Sequence, residues 1–407
     1  MLKRILSLKN PKKILMLILV LTAFLRLYRL DYPNQYIFDE VYHAFTAQEY
    51  LKGNKDAWEW RTTPPPGVAF EWTHPPLAKE IMTASMFLLR STDAWVWRLP
   101  GALLGVLSVF LVYKLGLKLF QNNISATLAA FLFSIDGLNF VQSRIGMNDI
   151  YFVTFFLISL LFLLNKKIFF SAIFCGLAIS SKWAAIYGYI FLFVPYLLLK
   201  KQYLNLILLT GILPIIYLAT YLPFFLLGHR FDQFVQLQQQ MWWYHTGLKA
   251  THDYSSPWWS WSLNFYPVWY FVDYKDKFIA NIFASGNPPL FWFGALAILA
   301  TGWEAIKQKS LNLFLILMGF LVFWLPWAVS PRIMFLYHYA PSVPFLTLAL
   351  GYQLGSRFQG KMRSKILLLL SIMVLGFILI YPFLTGIHIP NFFVRFFFFT
   401  NLTKNPF

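Results

Sequence analysis

The chain has 407 residues, of which 58% are hydrophobic, 20% aromatic and 12% charged, with a formal charge of +18. This composition excludes an ordinary water-soluble globule, because one core could not hide so much apolar surface. Nor does the charge mark a nucleic-acid binder, since the basic residues sit in breaks between apolar runs and not on one exposed patch.

Eleven apolar runs recur, near residues 14–30, 99–118, 124–142, 147–165, 168–181, 183–199, 203–227, 289–306, 311–329, 334–353 and 366–386. Most are close to the roughly 17–25 residues needed to cross about 30 Å of hydrocarbon. They predict an all-α polytopic membrane protein of about eleven transmembrane helices, a single domain over residues 1–407 embedded in the lipid bilayer. The first run ends in Arg26 and Arg29 with no small-residue cleavage site after it, so it is expected to stay as a helix.

Between the first and second runs lies a long loop, residues 31–98. It opens with Phe38-Asp39-Glu40-Val41-Tyr42-His43, where two adjacent carboxylates at a membrane surface could orient and deprotonate a hydroxyl. Alternatively, Asp39 caps a helix running from Glu40 to Leu51. Further on, Thr73-His74-Pro75-Pro76-Leu77-Ala78-Lys79 fixes an extended approach to an apolar stretch, Leu77 to Leu89, too short to span and expected to lie at the interface. His74 and Lys79 are site candidates there; a rigid helix start is the plainer reading.

Basic residues then recur where the runs meet the same face: Arg98, Arg144 with Asp136 and Asp149 beside it, Lys182 in a hairpin broken at Ser180-Ser181-Lys182, and Arg332. Each could simply snorkel to the surface; together they could form a pocket that grips a phosphate. The lone Cys175 lies inside an apolar run, which rules out disulfides within the chain. A second long loop, residues 228–288, carries Trp242, Trp243, Trp258, Trp259, Trp261 and Trp269, aromatics suited to the headgroup zone or to stacking on a sugar.

The short loops fix an orientation. With Lys3, Arg4, Lys9, Lys12 and Lys13 in the cytoplasm, the clusters at 166–167, 200–201, 307–309 and 357–365 share that side. Fifteen of the sixteen carboxylates then fall on the opposite face, so chemistry is expected there, with the C-terminus also extracytoplasmic. No Gly-rich phosphate cradle, His/Cys metal spacing or Ser/His/Asp arrangement appears, which argues against nucleotide-driven, zinc or hydrolase chemistry.

The segments Arg29-Leu30-Asp31-Tyr32-Pro33 through Phe38-Asp39-Glu40, His74-Pro75-Pro76-Leu77-Ala78-Lys79, Trp97-Arg98-Leu99-Pro100-Gly101, Ser143-Arg144 with Asp149, Lys182-Trp183, Trp261-Ser262-Leu263-Asn264, Asn287-Pro288-Pro289 and Arg332 through Tyr339 together resemble the protein O-mannosyltransferase family, of type C membrane glycosyltransferases. The resemblance implies that fold, two extracytoplasmic loops bearing interfacial helices, and inverting transfer of mannose from polyprenyl-phosphate mannose to Ser or Thr hydroxyls of secreted proteins. It makes Asp39 the base and Glu40 its neighbour in acceptor or sugar binding. Arg98 matches the family's functional arginine, and Arg144, Lys182 and Arg332 are candidates for the donor phosphate, with Asp149 beside them. The loop 228–288 lacks the soluble domain that eukaryotic members carry, which implies a bacterial-type member. No metal site and no required cofactor are expected, though the carboxylates leave room for a divalent cation.

Two other functions compete. A type C enzyme acting on a lipid or glycan acceptor would use the same groups. A transporter would place its charges near the bilayer midplane, often on related halves, neither of which appears.

Overall fold

The computed structural model describes residues 11–397. The basic residues Lys3, Arg4 and Lys9, used above for orientation, lie outside the described residues. Helices dominate, and all eleven predicted runs fall on helical segments. Among the described residues, four helices are long and apolar enough to cross a membrane by length and composition: Ala94–Phe120, Pro288–Lys307, Leu311–Val329 and Gly360–Thr385. Others are shorter because polar residues interrupt them. Asn123–Ser134, for example, stops where Asp136 caps the next turn, accepting from the N–H groups of Leu138 at 3.1 Å and Asn139 at 2.7 Å.

Small residues permit a close helix crossing. A Cβ on Gly351 would lie 2.6 Å from the Ala129 nitrogen, so Val343–Gly355 can press against Asn123–Ser134 only because that position has no side chain. The helix pair Ile168–Ser181 and Ala185–Leu199 breaks at Lys182, as the sequence led one to expect.

The two long loops fold together into one layer. In the first, His43–Leu51 and Leu77–Leu89 pack on Ala94–Phe120 through Ala44, Ala47, Ala78 and Met82. In the second, the helix Phe231–Thr246 buries Phe234, Leu237 and Met241 against Phe45, Trp58 and Phe70 of the first. This shared core is what brings the two loops' polar residues to one place.

The second loop also departs from the all-α expectation. Val268–Lys275 (β1) and Phe278–Ala284 (β2) form an antiparallel hairpin around the two-residue turn Asp276-Lys277, and Ile389–Pro390 (β3) adds to β2. The run is rich in aromatic and β-branched residues, which suit a pleated surface. Between Trp269 and Phe271 the register shifts, leaving Tyr270 in a bulge. The tryptophans divide: Trp242 is 64% exposed, as suits the headgroup zone, whereas Trp261 is fully buried and donates to Ser256.

Candidate active site

The acidic pair is split by the fold. Phe38 takes φ +49°, a conformation that costs a non-glycine residue energy. Its ring is held there by stacking on the bulged Tyr270 at 4.0 Å, whose hydroxyl accepts from Gln142 at 3.1 Å. Past that turn, Asp39 and Glu40 face opposite ways.

Glu40 is buried and saturated. Its carboxylate accepts from Arg98 Nε at 2.8 Å and Nη2 at 2.7 Å, from Trp97 Nε1 at 3.1 Å, and from the N–H groups of Gly146 at 2.8 Å and Ile37 at 3.1 Å. Arg98 gives its other N–H groups to the carbonyls of Leu30 at 3.1 Å, Pro33 at 2.9 Å and Gln35 at 3.0 Å. No donor of that guanidinium is left for a phosphate, so Arg98, one of the four cations expected to grip one, instead clamps Glu40. Asp39 is not a helix cap either: the helix begins at His43, and it is Glu40 that bonds back to the Ile37 N–H.

Arg144 directs three of its N–H groups into the protein. Its guanidinium donates to the carbonyls of Leu25 at 3.1 Å, Arg26 at 2.5 Å and Arg29 at 3.2 Å, satisfying the end of the first helix, Pro11–Leu27. Lys79, 1% exposed, donates to the carbonyls of His74 at 2.9 Å and Pro75 at 3.4 Å and so braces the proline turn. Asp136 lies within electrostatic reach of Arg26, as Arg144 also does.

Asp39, by contrast, is half-buried and, among the described residues, accepts no hydrogen bond. Around it stand Glu71, Lys182, Asp149 and Arg332, all within electrostatic reach. Burial chiefly, with Glu71 and Asp149 adding and Lys182 and Arg332 opposing, raises its pKa to about 7. Lys182 donates to both oxygens of Asp149, at 2.8 and 2.9 Å. Arg332 is half-buried, lies 5.1 Å from the Tyr244 ring and donates to Nδ1 of His245.

The sequence reading missed part of this cluster. His245 Nε2 lies 2.8 Å from the Thr73 carbonyl, so its proton sits on Nε2 and Nδ1 is free to accept from Arg332. Burial first, then Arg332, pushes its pKa down to about 4, which keeps the ring neutral. His74 stacks on it at 5.1 Å and on His43 at 6.1 Å. Glu71, buried, accepts from Thr73 at 2.6 Å and from the His74 N–H at 2.9 Å. Burial works against its charge, but His43, Lys79 and those bonds outweigh it and hold the carboxyl below its ordinary value. Glu71 had a signal, a lone acid in an apolar stretch three residues before His74. His245 had none, being 172 residues from Thr73. Among the described residues, no group of three or more His, Cys, Asp or Glu side chains converges on a metal position.

A helical membrane bundle with an acid-bearing first loop folded against a second defines a type C membrane glycosyltransferase fold. It resembles the S. cerevisiae protein O-mannosyltransferase Pmt1-Pmt2 complex bound to the sugar donor, with TM-score 0.79 and 15% identity over 94% of this chain and 92% of that one. ArnT from Cupriavidus metallidurans is similar at TM-score 0.63 and 14% identity, covering 88% and 63%. Residues 16–246 match the dolichyl-phosphate-mannose-protein mannosyltransferase family and residues 230–395 the C-terminal four TMM region of protein-O-mannosyltransferase; the chain belongs to this family and is a multi-pass membrane protein. A polyprenol-phosphate-mannose–protein mannosyltransferase of Mycobacterium tuberculosis (strain ATCC 25618 / H37Rv) is 24% identical over 471 residues, covering 92% of this chain and 88% of its own. One from Corynebacterium glutamicum is 23% identical over 411 residues, covering 78% and 79%.

Proposed function

We propose that this protein transfers mannose from a polyprenyl-phosphate carrier to Ser or Thr hydroxyls of proteins, with inversion at the anomeric carbon, on the membrane face that bears the two long loops. The observation that carries the reading is Asp39: a half-buried carboxylate without an internal partner, in the field of two cations. Asp39 takes the proton from the acceptor hydroxyl as its oxygen attacks the anomeric carbon. The bond from that carbon to the phosphate oxygen breaks, and the departing phosphate carries its charge to Arg332 and Lys182. Glu40, Arg98 and Arg144 position the loop. His74 and Glu71 line the same cluster, Lys79 braces the turn behind it, and Asp149 orients Lys182. Two cations facing a monophosphate make a cofactor unnecessary to this scheme. The short-loop charges support a cytoplasmic N-terminus, with the site and the C-terminus on the extracytoplasmic side of the cell membrane.

The test is incubation of purified protein with polyprenyl-phosphate [14C]mannose and a Ser/Thr-containing peptide. Label is expected in the peptide; label only in a lipid or glycan, or none transferred, would reject the reading.

The raised Asp39 pKa also fixes the pH response. The base acts when deprotonated, so kcat/KM is expected to rise with pH and level off above a midpoint of about 7. Glu71→Gln keeps an oxygen for Thr73 and the His74 N–H but removes a like charge, so it should move that rising limb to lower pH. A limb that stays put, or moves up, would separate Glu71 from the base.

A further inference from the structure

The two cations that face Asp39 are held by different chemistry. Lys182 is gripped by both oxygens of Asp149, an anion that offsets the lysine's charge. Arg332 lies on an irregular stretch between the turns Leu325–Val329 and Leu336–Ser342, with no helix to fix its place. Among the described residues, its one hydrogen-bond acceptor is a neutral ring: Nη1 donates to Nδ1 of His245. The face of the same guanidinium lies 5.1 Å from the Tyr244 ring. A lone pair and a π face orient a guanidinium without cancelling its charge, whereas a carboxylate would orient and neutralise it together. Both holders sit in the last turn of the helix Phe231–Thr246, whose dipole also favours a cation at that end.

The His245 ring is itself fixed from several sides. Its Nε2 meets the Thr73 carbonyl at 2.8 Å, which sets the proton there and leaves Nδ1 as an acceptor. Thr73 is tied in turn, donating through Oγ1 to Glu71 at 2.6 Å. His74 stacks on the imidazole at 5.1 Å, and Trp183, the neighbour of Lys182, packs on it at 6.0 Å. One ring thus joins the first loop, the second loop, the segment that carries Lys182 and the stretch that carries Arg332. Clamped at its far nitrogen, it cannot turn to offer Arg332 an N–H in place of a lone pair.

We infer that His245 is a positioning residue for the departing phosphate: as a neutral acceptor it fixes the Arg332 guanidinium with its charge intact, so that the remaining N–H groups meet the anion. The inference rests on the transferase reading, with Arg332 as a phosphate ligand, and adds what orients that ligand. His245 acts through Arg332 and not on the substrate itself.

Two amides separate the ring's nitrogens. In His245→Asn, Oδ1 stands where Nδ1 was and accepts from Arg332; in His245→Gln, the amide reaches the Thr73 carbonyl and Arg332 loses its acceptor. Binding of farnesyl phosphate, a short polyprenyl monophosphate, to the purified protein in detergent reads the effect without turnover. Its Kd is expected to rise about tenfold in His245→Gln, the scale of one hydrogen bond to a charged group, and to stay near the parent value in His245→Asn. Added to Arg332→Gln, His245→Gln should weaken binding no further, because its effect runs through that guanidinium. The peptide KM should not change in either single variant at position 245. His245→Leu, which removes both nitrogens, replaces His245→Gln if the latter does not fold. An unchanged Kd in the folded variant, an equal loss in His245→Asn, or full additivity with Arg332→Gln, the mark of a merely structural role, overturns the inference. The expected pattern of Kd values in a protein that labels no peptide would instead keep this phosphate site and remove the transferase reading.

Discussion

Asp39→Asn is expected to lower mannosyl transfer by about 10²–10⁴-fold, the usual contribution of a positioned base, while the protein inserts and folds as before. The substitution keeps size and shape and removes only the capacity to take a proton. Stability supplies the control. The folded pKa of Asp39 is about 7, above the ordinary carboxylate value, so the folded state holds a proton that the unfolded chain releases between those two values. The side chain therefore opposes folding increasingly as pH rises through that window. Asn has no charge to bury, so at pH 8 the variant should melt at the same temperature as the parent or higher. Lost activity with raised or equal melting temperature is the signature of a base held in place against its own burial cost. A variant that keeps full turnover, or one that loses activity only because it unfolds, removes Asp39 from the chemistry.

Much of this was legible in the sequence, for identifiable reasons. Helix positions follow from apolar run length, and Leu77–Leu89 appears with the expected bounds because Pro75 and Pro76 fix its start and Arg90, at φ +52°, ends it. Asp39 was singled out as half of an adjacent acidic pair, Lys182 and Arg332 as charges at the rim of an apolar run, and the structure gathers the three within electrostatic reach of one another. Sequence position alone, however, does not reveal which donors are already used. Arg98 and Arg144 have the same setting as Lys182, yet their partners are carbonyls at residues 30, 33 and 35 and at 25, 26 and 29, visible only once the loop folds back. The hairpin β1–β2 was hidden by its own aromatics, which also fit a membrane interface. His245 sits at the end of a Trp-Trp-Tyr-His run whose surface role masked its inward face.

Arg98→Ala is expected to act on the fold first and on catalysis second. The Arg98–Glu40 pair is almost without solvent, at 1% and 0% side-chain exposure, and every polar atom in it is used. Removing one partner of such a pair strands the other, at a cost of about 3–5 kcal/mol. Arg98→Ala leaves Glu40 charged with only Trp97 and two backbone N–H groups, and Glu40→Gln leaves the guanidinium charged and unpaired; both should melt well below the parent in detergent. Because the lost contact is shared, the double variant Glu40→Gln/Arg98→Met should be less destabilised than the two single effects combined. Catalysis follows through geometry. Arg98 ties down the chain at residues 30, 33 and 35 just before the turn that aims Asp39, so its loss should lower kcat with little change in donor KM. The opposite pattern, a raised donor KM in a protein of unchanged melting temperature, would mean that this arginine meets the phosphate after all and that the clamp on Glu40 opens when donor binds.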